Sequence, residues 1–116
     1  MKSISKKIVK KLIKKKIKIS FAESCTGGLL SSAITSIAGS SKVFTIGIIA
    51  YSKESKIKVL KIPRKIIKRY GSVSAQVCKA MAINISKITR TKMSVSITGI
   101  AGPGGGSKKK PVGLVY

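Results

Sequence analysis

Three groups of residues have the types and spacing to do chemistry. The first is the run Ala22-Glu23-Ser24-Cys25-Thr26-Gly27-Gly28, set between an alternating stretch and an apolar helical one. A hydroxyl at a strand's end, followed by glycines that open a helix, sits where free N–H groups and the positive helix dipole converge. Such a turn can hold a nucleophile beside an oxyanion hole, cradle a phosphate, or simply cap its helix. The second is the loop 98–106, Thr98-Gly99-Ile100-Ala101-Gly102-Pro103-Gly104-Gly105-Gly106. Glycine at this density lets a backbone close on a ligand and present several N–H groups, or marks a flexible turn. It lacks the lysine-hydroxyl ending of a P-loop and does not follow the dinucleotide fingerprint. The third is Tyr51 with Lys56, five residues apart after a strand-like run. A lysine becomes a base only when desolvation or neighbouring cations displace its proton; otherwise it is a solvated surface charge.

What is missing narrows the chemistry further. The chain has no His and no Trp, and its only acidic side chains are Glu23 and Glu54. This excludes a Ser-His-Asp triad, a Cys-His dyad, a His-based zinc site, a paired-carboxylate glycosidase and a carboxylate cage for Mg²⁺ or Ca²⁺. No metal site and no cofactor are expected. Hydrolytic chemistry here must run on Ser, Thr, Tyr, Cys or Lys. Cys25 and Cys78 lack C-x-x-C spacing and read as reduced thiols of a cytoplasmic protein. No stretch approaches the ~20 apolar residues of a membrane span, and lysines interrupt the basic N-terminus, leaving no signal-peptide core.

The elements that must position these residues follow from periodicity. Ile4, Ile8 and Leu12 at i+4 spacing, with Val9 and Ile13 beside them, predict a helix near 3–15. Its single stripe suits a helix covering a sheet, with a membrane-surface helix as the alternative. The sheet reading is preferred because a strand-like stretch follows at once. Strands are predicted near 17–21, 43–50, 93–97 and 112–116 in one sheet, with helices near 27–38 and 75–90. Shorter helices are expected at 52–60 and 63–70, where Pro63 suits a first turn and Gly71 the position after the end. Strands alternating with helices give an α/β domain, whose ligands bind at the carboxyl ends of the strands. Ser24, Tyr51, Lys56 and the loop 98–106 are therefore expected to meet in one cleft.

The 116 residues suffice for one small domain, 1–116, and not for two. At 43% hydrophobic the chain is globular despite its formal charge of +23. That charge invites a nucleic-acid reading. Yet it is spread along the chain, Lys and Ile together make roughly a third of the residues, and stacking aromatics are scarce. Nonspecific, salt-sensitive adsorption to polyanions is expected, but no specific nucleic-acid partner and no membrane partner.

Taken in order and spacing, several motifs resemble one known family. They are Ala-Glu-Ser-Cys-Thr-Gly-Gly at 22–28, Gly-Ser-Ser at 39–41, Ala-Tyr-Ser at 50–52 with Lys56, and Gly-Ser-Val-Ser at 71–74. Ala-Met-Ala at 80–82, Ile-Thr-Gly-Ile-Ala-Gly-Pro-Gly-Gly at 97–105 and Lys-Pro-Val-Gly at 110–113 complete the set. The chain from about Ile17 to Tyr116 resembles the C-terminal domain family of the competence/damage-inducible protein CinA, also found alone as nicotinamide mononucleotide deamidase. The resemblance implies a three-layer α/β/α sandwich with a mixed sheet, its last strands and closing helix missing here. It also implies hydrolysis of the carboxamide of nicotinamide mononucleotide to nicotinic acid mononucleotide and ammonia. The family's serine, tyrosine and lysine fall on Ser24, Tyr51 and Lys56. With no histidine present, a Ser-Lys pair assisted by Tyr is the acyl-transfer machinery this composition permits. Thr26, Gly27 and Gly28 would hold the oxyanion, and Ser40, Ser41, Thr98, Gly99, Gly102 and Gly104 would contact the ribose phosphate. The expected partners are a small nucleotide substrate and either a second copy or a complementing C-terminal fragment. Departures include Ala75 and Gln76, where the family often has glutamates, and Lys92, where an aspartate is usual. The alternatives are an inactive remnant of the domain, a basic nucleic-acid module and a membrane-surface protein acting through residues 3–16.

Overall fold

A computed structural model describes residues 2–116. Its first helix, α1 (Lys2–Lys15), ends in a Schellman motif: Lys16 takes a left-handed φ of 54°, while the N–H groups of Lys16 and Ile17 bond to Ile13 O and Leu12 O. That cap retains Ile17, so β1 starts two residues later than predicted, at Ile19–Glu23. β1 is the central strand and is buried along its whole length. On one side it pairs with β2 (Phe44–Ile49) and on the other with β3 (Met93–Ile97), both parallel.

Between β1 and β2 lies α2 (Leu29–Thr35), shorter than the predicted 27–38. Gly27 and Gly28 adopt φ of 58° and 102°, which keeps them in the turn before the helix. Three further helices follow β2: α3 (Lys53–Lys58), α4 (Arg64–Tyr70) and α5 (Ala75–Thr89). Ser52 and Ser74 cap α3 and α5, accepting from Ser55 N–H at 3.0 Å and Val77 N–H at 3.2 Å. These match the elements expected at 52–60, 63–70 and 75–90.

Two cores flank the sheet. On one face Val9 and Leu12 of α1 and Ile34 of α2 pack on Ile19, Phe21 and Val43. On the other, Val77, Met81 and Ile85 of α5 and Ile67 of α4 meet Ala22, Ala50, Leu60 and Ile62. This is a three-layer α/β/α arrangement. The face α1 buries runs through Ser5, Val9 and Leu12, whereas Ile4 and Ile8 are exposed, so the helix is turned about one position from the predicted stripe. No helix among the described residues is long and apolar enough to cross a membrane.

One expected strand needs correction. Residues 112–116 do not add a strand to the sheet; they make a single antiparallel bridge, Gly99 with Val115. Pro111 has no N–H to offer and Gly113 turns to φ 94°, so regular pairing starts only at the last residues. The three strands proper are all parallel, and antiparallel pairing is confined to that bridge.

Candidate active site

The site grows out of the carboxyl end of β1. Side chains alternate along a strand: Ile19 and Phe21 face α1 and α2, and Ala22 faces α5. Glu23 therefore points to the α2 layer and Ser24 to the opposite one. The Glu23 carboxylate is fully buried and accepts four hydrogen bonds. Oε1 takes Thr26 Oγ1 at 2.6 Å and Leu30 N–H at 2.9 Å; Oε2 takes Ser31 Oγ at 2.6 Å and Ser31 N–H at 2.9 Å. Burial works to raise its pKa, but the hydroxyls of Ser31 and Thr26 and the two N–H groups outweigh it, leaving the carboxyl below its ordinary value. Glu23 thus supplies the cap that Gly28 cannot, and ties the 24–28 turn to α2.

Ser24 is held by its own N–H on Ile97 O at 2.9 Å, so its position is set by both β1 and β3. Lys56 of α3 reaches it from across the layer. Lys56 is 1% exposed, and its Nζ donates to Ser24 Oγ at 2.8 Å, Ala50 O at 2.8 Å and Tyr51 O at 2.9 Å. No carboxylate joins this cluster. Burial pushes the Lys56 ammonium below the ordinary lysine range, an effect only partly offset by neighbouring Cys25.

Opposite this pair stands the glycine loop. Thr98 is buried; its Oγ1 donates to Ser72 O at 3.0 Å, and its backbone pairs with Tyr116. A Cβ at Gly99 would lie 2.6 Å from Leu114 O and 3.1 Å from Cys25 Sγ, so only glycine lets the loop close on the turn. Between turn and loop is an open cavity of about 260 Å³. Ser24, Tyr51 and Lys56 line it together with Thr98, Gly99, Gly102 and Gly104. Tyr51 is 73% exposed, and its link to Lys56 runs through its carbonyl.

The side chains of the other expected residues do not line the cavity. The Thr26 hydroxyl is engaged by Glu23, and Gly28 faces Ile49. Ser40 and Ser41 sit in a short 3₁₀ turn, Ser40–Lys42, just before β2, at the end of the sheet away from the cavity; Ser40 Oγ donates to Thr35 O at 3.3 Å. The Gly27 N–H is taken by Ser24 O at 3.1 Å, while those of Cys25 and Thr26 meet no acceptor among the described residues. Sequence reasoning did not single out Cys25, Ser72 and Val73 as cavity walls. The buried Ser72 Oγ has no partner among the described residues, and Gly-Ser-Val-Ser at 71–74 was the signal available for it.

A Ser-Lys pair on this α/β/α frame can be set beside known proteins. The model of the CinA C-terminal domain matches residues 1–116. The chain belongs to that family. A CinA-like protein of Prochlorococcus marinus (strain MIT 9301) is 58% identical over 98 residues, 84% of this chain and 23% of that protein. The chain therefore spans less than a quarter of that relative's length. Among solved structures, the competence/damage inducible protein CihA from Agrobacterium tumefaciens superposes with a TM-score of 0.96 at 40% identity, covering 98% of this chain and 69% of that one. A competence or damage-inducible protein from Enterobacter asburiae gives 0.94 at 32% identity, covering 98% and 72%.

Proposed function

We propose that this CinA-family chain carries a serine amidohydrolase site, with the carboxamide of nicotinamide mononucleotide as its substrate. One observation carries the reading: a buried lysine, unpaired with any carboxylate, in hydrogen-bond contact with a serine at the mouth of a glycine-lined cavity. In neutral Lys56, two N–H bonds stay on the Ala50 and Tyr51 carbonyls, and the remaining lone pair points at the Ser24 hydroxyl. That is the arrangement of a general base beside its nucleophile.

Ser24 Oγ attacks the amide carbon as its proton passes to Lys56 Nζ. The negative oxygen of the tetrahedral adduct lies toward the 25–26 turn, whose N–H groups are not otherwise engaged. Collapse breaks the C–N bond, and Lys56 returns the proton to the leaving nitrogen, which departs as ammonia. Water, deprotonated by Lys56, then attacks the acyl-serine; the ester bond breaks as Lys56 hands that proton to Ser24 Oγ, and the acid is released. The cavity suits an aromatic ring and its carboxamide, so the ribose phosphate extends toward the mouth, where the loop N–H groups and the basic surface favour an anion.

Ammonia release from nicotinamide mononucleotide tests this, with the chain alone and with the remaining part of a related domain supplied in cis or in trans. Activity in either form, lost by a factor of about 10³ or more in Ser24→Ala, is expected. A folded, complemented protein that releases no ammonia, or undiminished activity in Ser24→Ala, would overturn the reading.

A further inference from the structure

The Lys-Pro-Val-Gly motif at 110–113 has no part in the chemistry above, yet its lysine holds the cavity's walls together. Those walls come from segments far apart in the chain. One is the turn between α4 and α5, where Ser72 and Val73 line the space; the other is the glycine loop from Thr98 to Gly105. Among the described residues no backbone hydrogen bond joins 70–74 to 98–113. Two side chains do so instead. Thr98 Oγ1 donates to Ser72 O at 3.0 Å, and Lys110 Nζ donates to Tyr70 O, so the two bonds fall on either side of Gly71. Lys108 and Lys109 are exposed, whereas Lys110 is half-buried. Tyr70 ends α4, and its carbonyl is one of those that a helix leaves without an N–H partner. A cation there is favoured twice, by the hydrogen bond and by the negative end of the helix dipole. Gly71 makes the reach possible, since a Cβ on it would lie 2.7 Å from Lys110 Nζ.

The hold passes on to the glycine loop. Lys110 closes a turn with Ser107: Ser107 N–H donates to Lys110 O at 2.9 Å, and Lys110 N–H to Ser107 Oγ at 3.1 Å. Two residues further on, Val112 backs the loop. A Cβ on Gly102 would lie 2.5 Å from Val112 Cγ1, and one on Gly106 would lie 2.8 Å from Val112 N. Gly113 N–H then donates to Ile100 O at 2.7 Å. We infer that Lys110 is a positioning residue of the site: its bond to Tyr70 clasps the glycine loop to the 71–73 turn and sets how far the cavity stands open. The inference rests on the reading of that cavity as the substrate site. Lys110 itself does not line the cavity, and Ser24 and Lys56 are held by other bonds. Its effect therefore falls on the fit of the substrate and not on the Ser24–Lys56 pair.

The two thiols of the chain give a readout that needs no turnover. Cys25 lines the cavity under the loop, with its Sγ 3.1 Å from where a Cβ on Gly99 would stand. Cys78 lies outside it, with its Sγ 3.2 Å from Ser96 Oγ. The probe is iodoacetamide, a neutral reagent, added to the full chain. In Lys110→Met, alkylation of Cys25 should quicken at least tenfold, while Cys78 stays within twofold. Removing a cation disfavours a nearby thiolate, so charge alone would slow the reaction. Lys110→Arg keeps a donor for the Tyr70 carbonyl and should stay within threefold of the unmodified chain at both thiols. In whichever form turns over nicotinamide mononucleotide, Lys110→Met should raise KM at least tenfold with kcat within threefold. An unchanged rate at Cys25 would overturn the inference. Equal acceleration of both thiols would overturn it too, since Lys110 would then support the fold as a whole, and so would a loss confined to kcat. Because alkylation is read without substrate, a failure of the amidohydrolase reading shows in ammonia release alone and leaves the clasp standing.

Discussion

A lysine with no anion beside it is costly to bury as an ammonium, and Lys56 is buried with its Nζ on the Ser24 hydroxyl, whose proton it would take in the proposed reaction. The sign of the pH effect follows. The proposed reaction needs the neutral amine, so turnover should rise with pH through a lysine pKa held below its ordinary value of 10.5, and then level off. Lys56→Arg keeps the positive charge but cannot lose its proton at working pH. It should lower the rate by about 10²–10⁴-fold and remove the alkaline rise, which a kcat–pH profile of the two proteins would show. A parallel profile in Lys56→Arg would assign the titration to another group. The Cys25 thiol lies against Gly99. With the thiol assigned to packing and not to the reaction, Cys25→Ala should leave turnover within a few-fold of the original.

The elements that hold the pair depend on a smaller set of contacts than the motifs suggest. Glu23 caps α2 through the Leu30 and Ser31 N–H groups and also holds the Thr26 and Ser31 hydroxyls, and β2 makes room for that cap with a glycine: a Cβ on Gly47 would lie 2.1 Å from Ser31 Oγ. Gly47→Ala is expected to cost about 1–3 kcal/mol in urea unfolding by displacing Ser31 from Glu23. Glu23 titrates below the ordinary 4.5 in the folded chain, so the unfolded chain binds the extra proton first. Its contribution is complete above that ordinary value and lost as pH falls through the folded pKa. Acid unfolding of Glu23→Gln should lack this part of the pH dependence. The order of helices and strands was legible in the sequence because 3.6- and 2-residue periods and the Ser52 and Ser74 caps are local signals. Convergence of Ser24, Lys56 and the 98–106 loop was legible for a topological reason, as all follow parallel strands. What was not legible needs the neighbouring chain. The Schellman cap on Lys16 that delays β1 was one such feature, the broken 112–116 pairing another. The same holds for the placement of Ser40 at the far end of the sheet and for the Gly47–Ser31–Glu23 contact.

For the molecule as a whole, charge is the dominant unbalanced term. Of 25 Lys and Arg side chains, the described residues pair just Arg64, with Glu54 at 3.0 Å and both partners exposed. An exposed pair of this kind contributes little, so the remaining cations act on one another as a net repulsion that the two cores must outweigh. Salt relieves it, because the Debye length contracts from about 30 Å at 0.01 M to about 8 Å at 0.15 M. The melting temperature is therefore expected to climb by several degrees over that range, by about 4–8 °C for each kcal/mol of relieved repulsion in a small domain. Chloride and sulfate should both act, sulfate more strongly at equal concentration through its higher charge. The same screening should release the chain from heparin or DNA with no preference among sequences. A melting temperature that falls as salt rises would show that attractive ion pairs, and not self-repulsion, govern this surface.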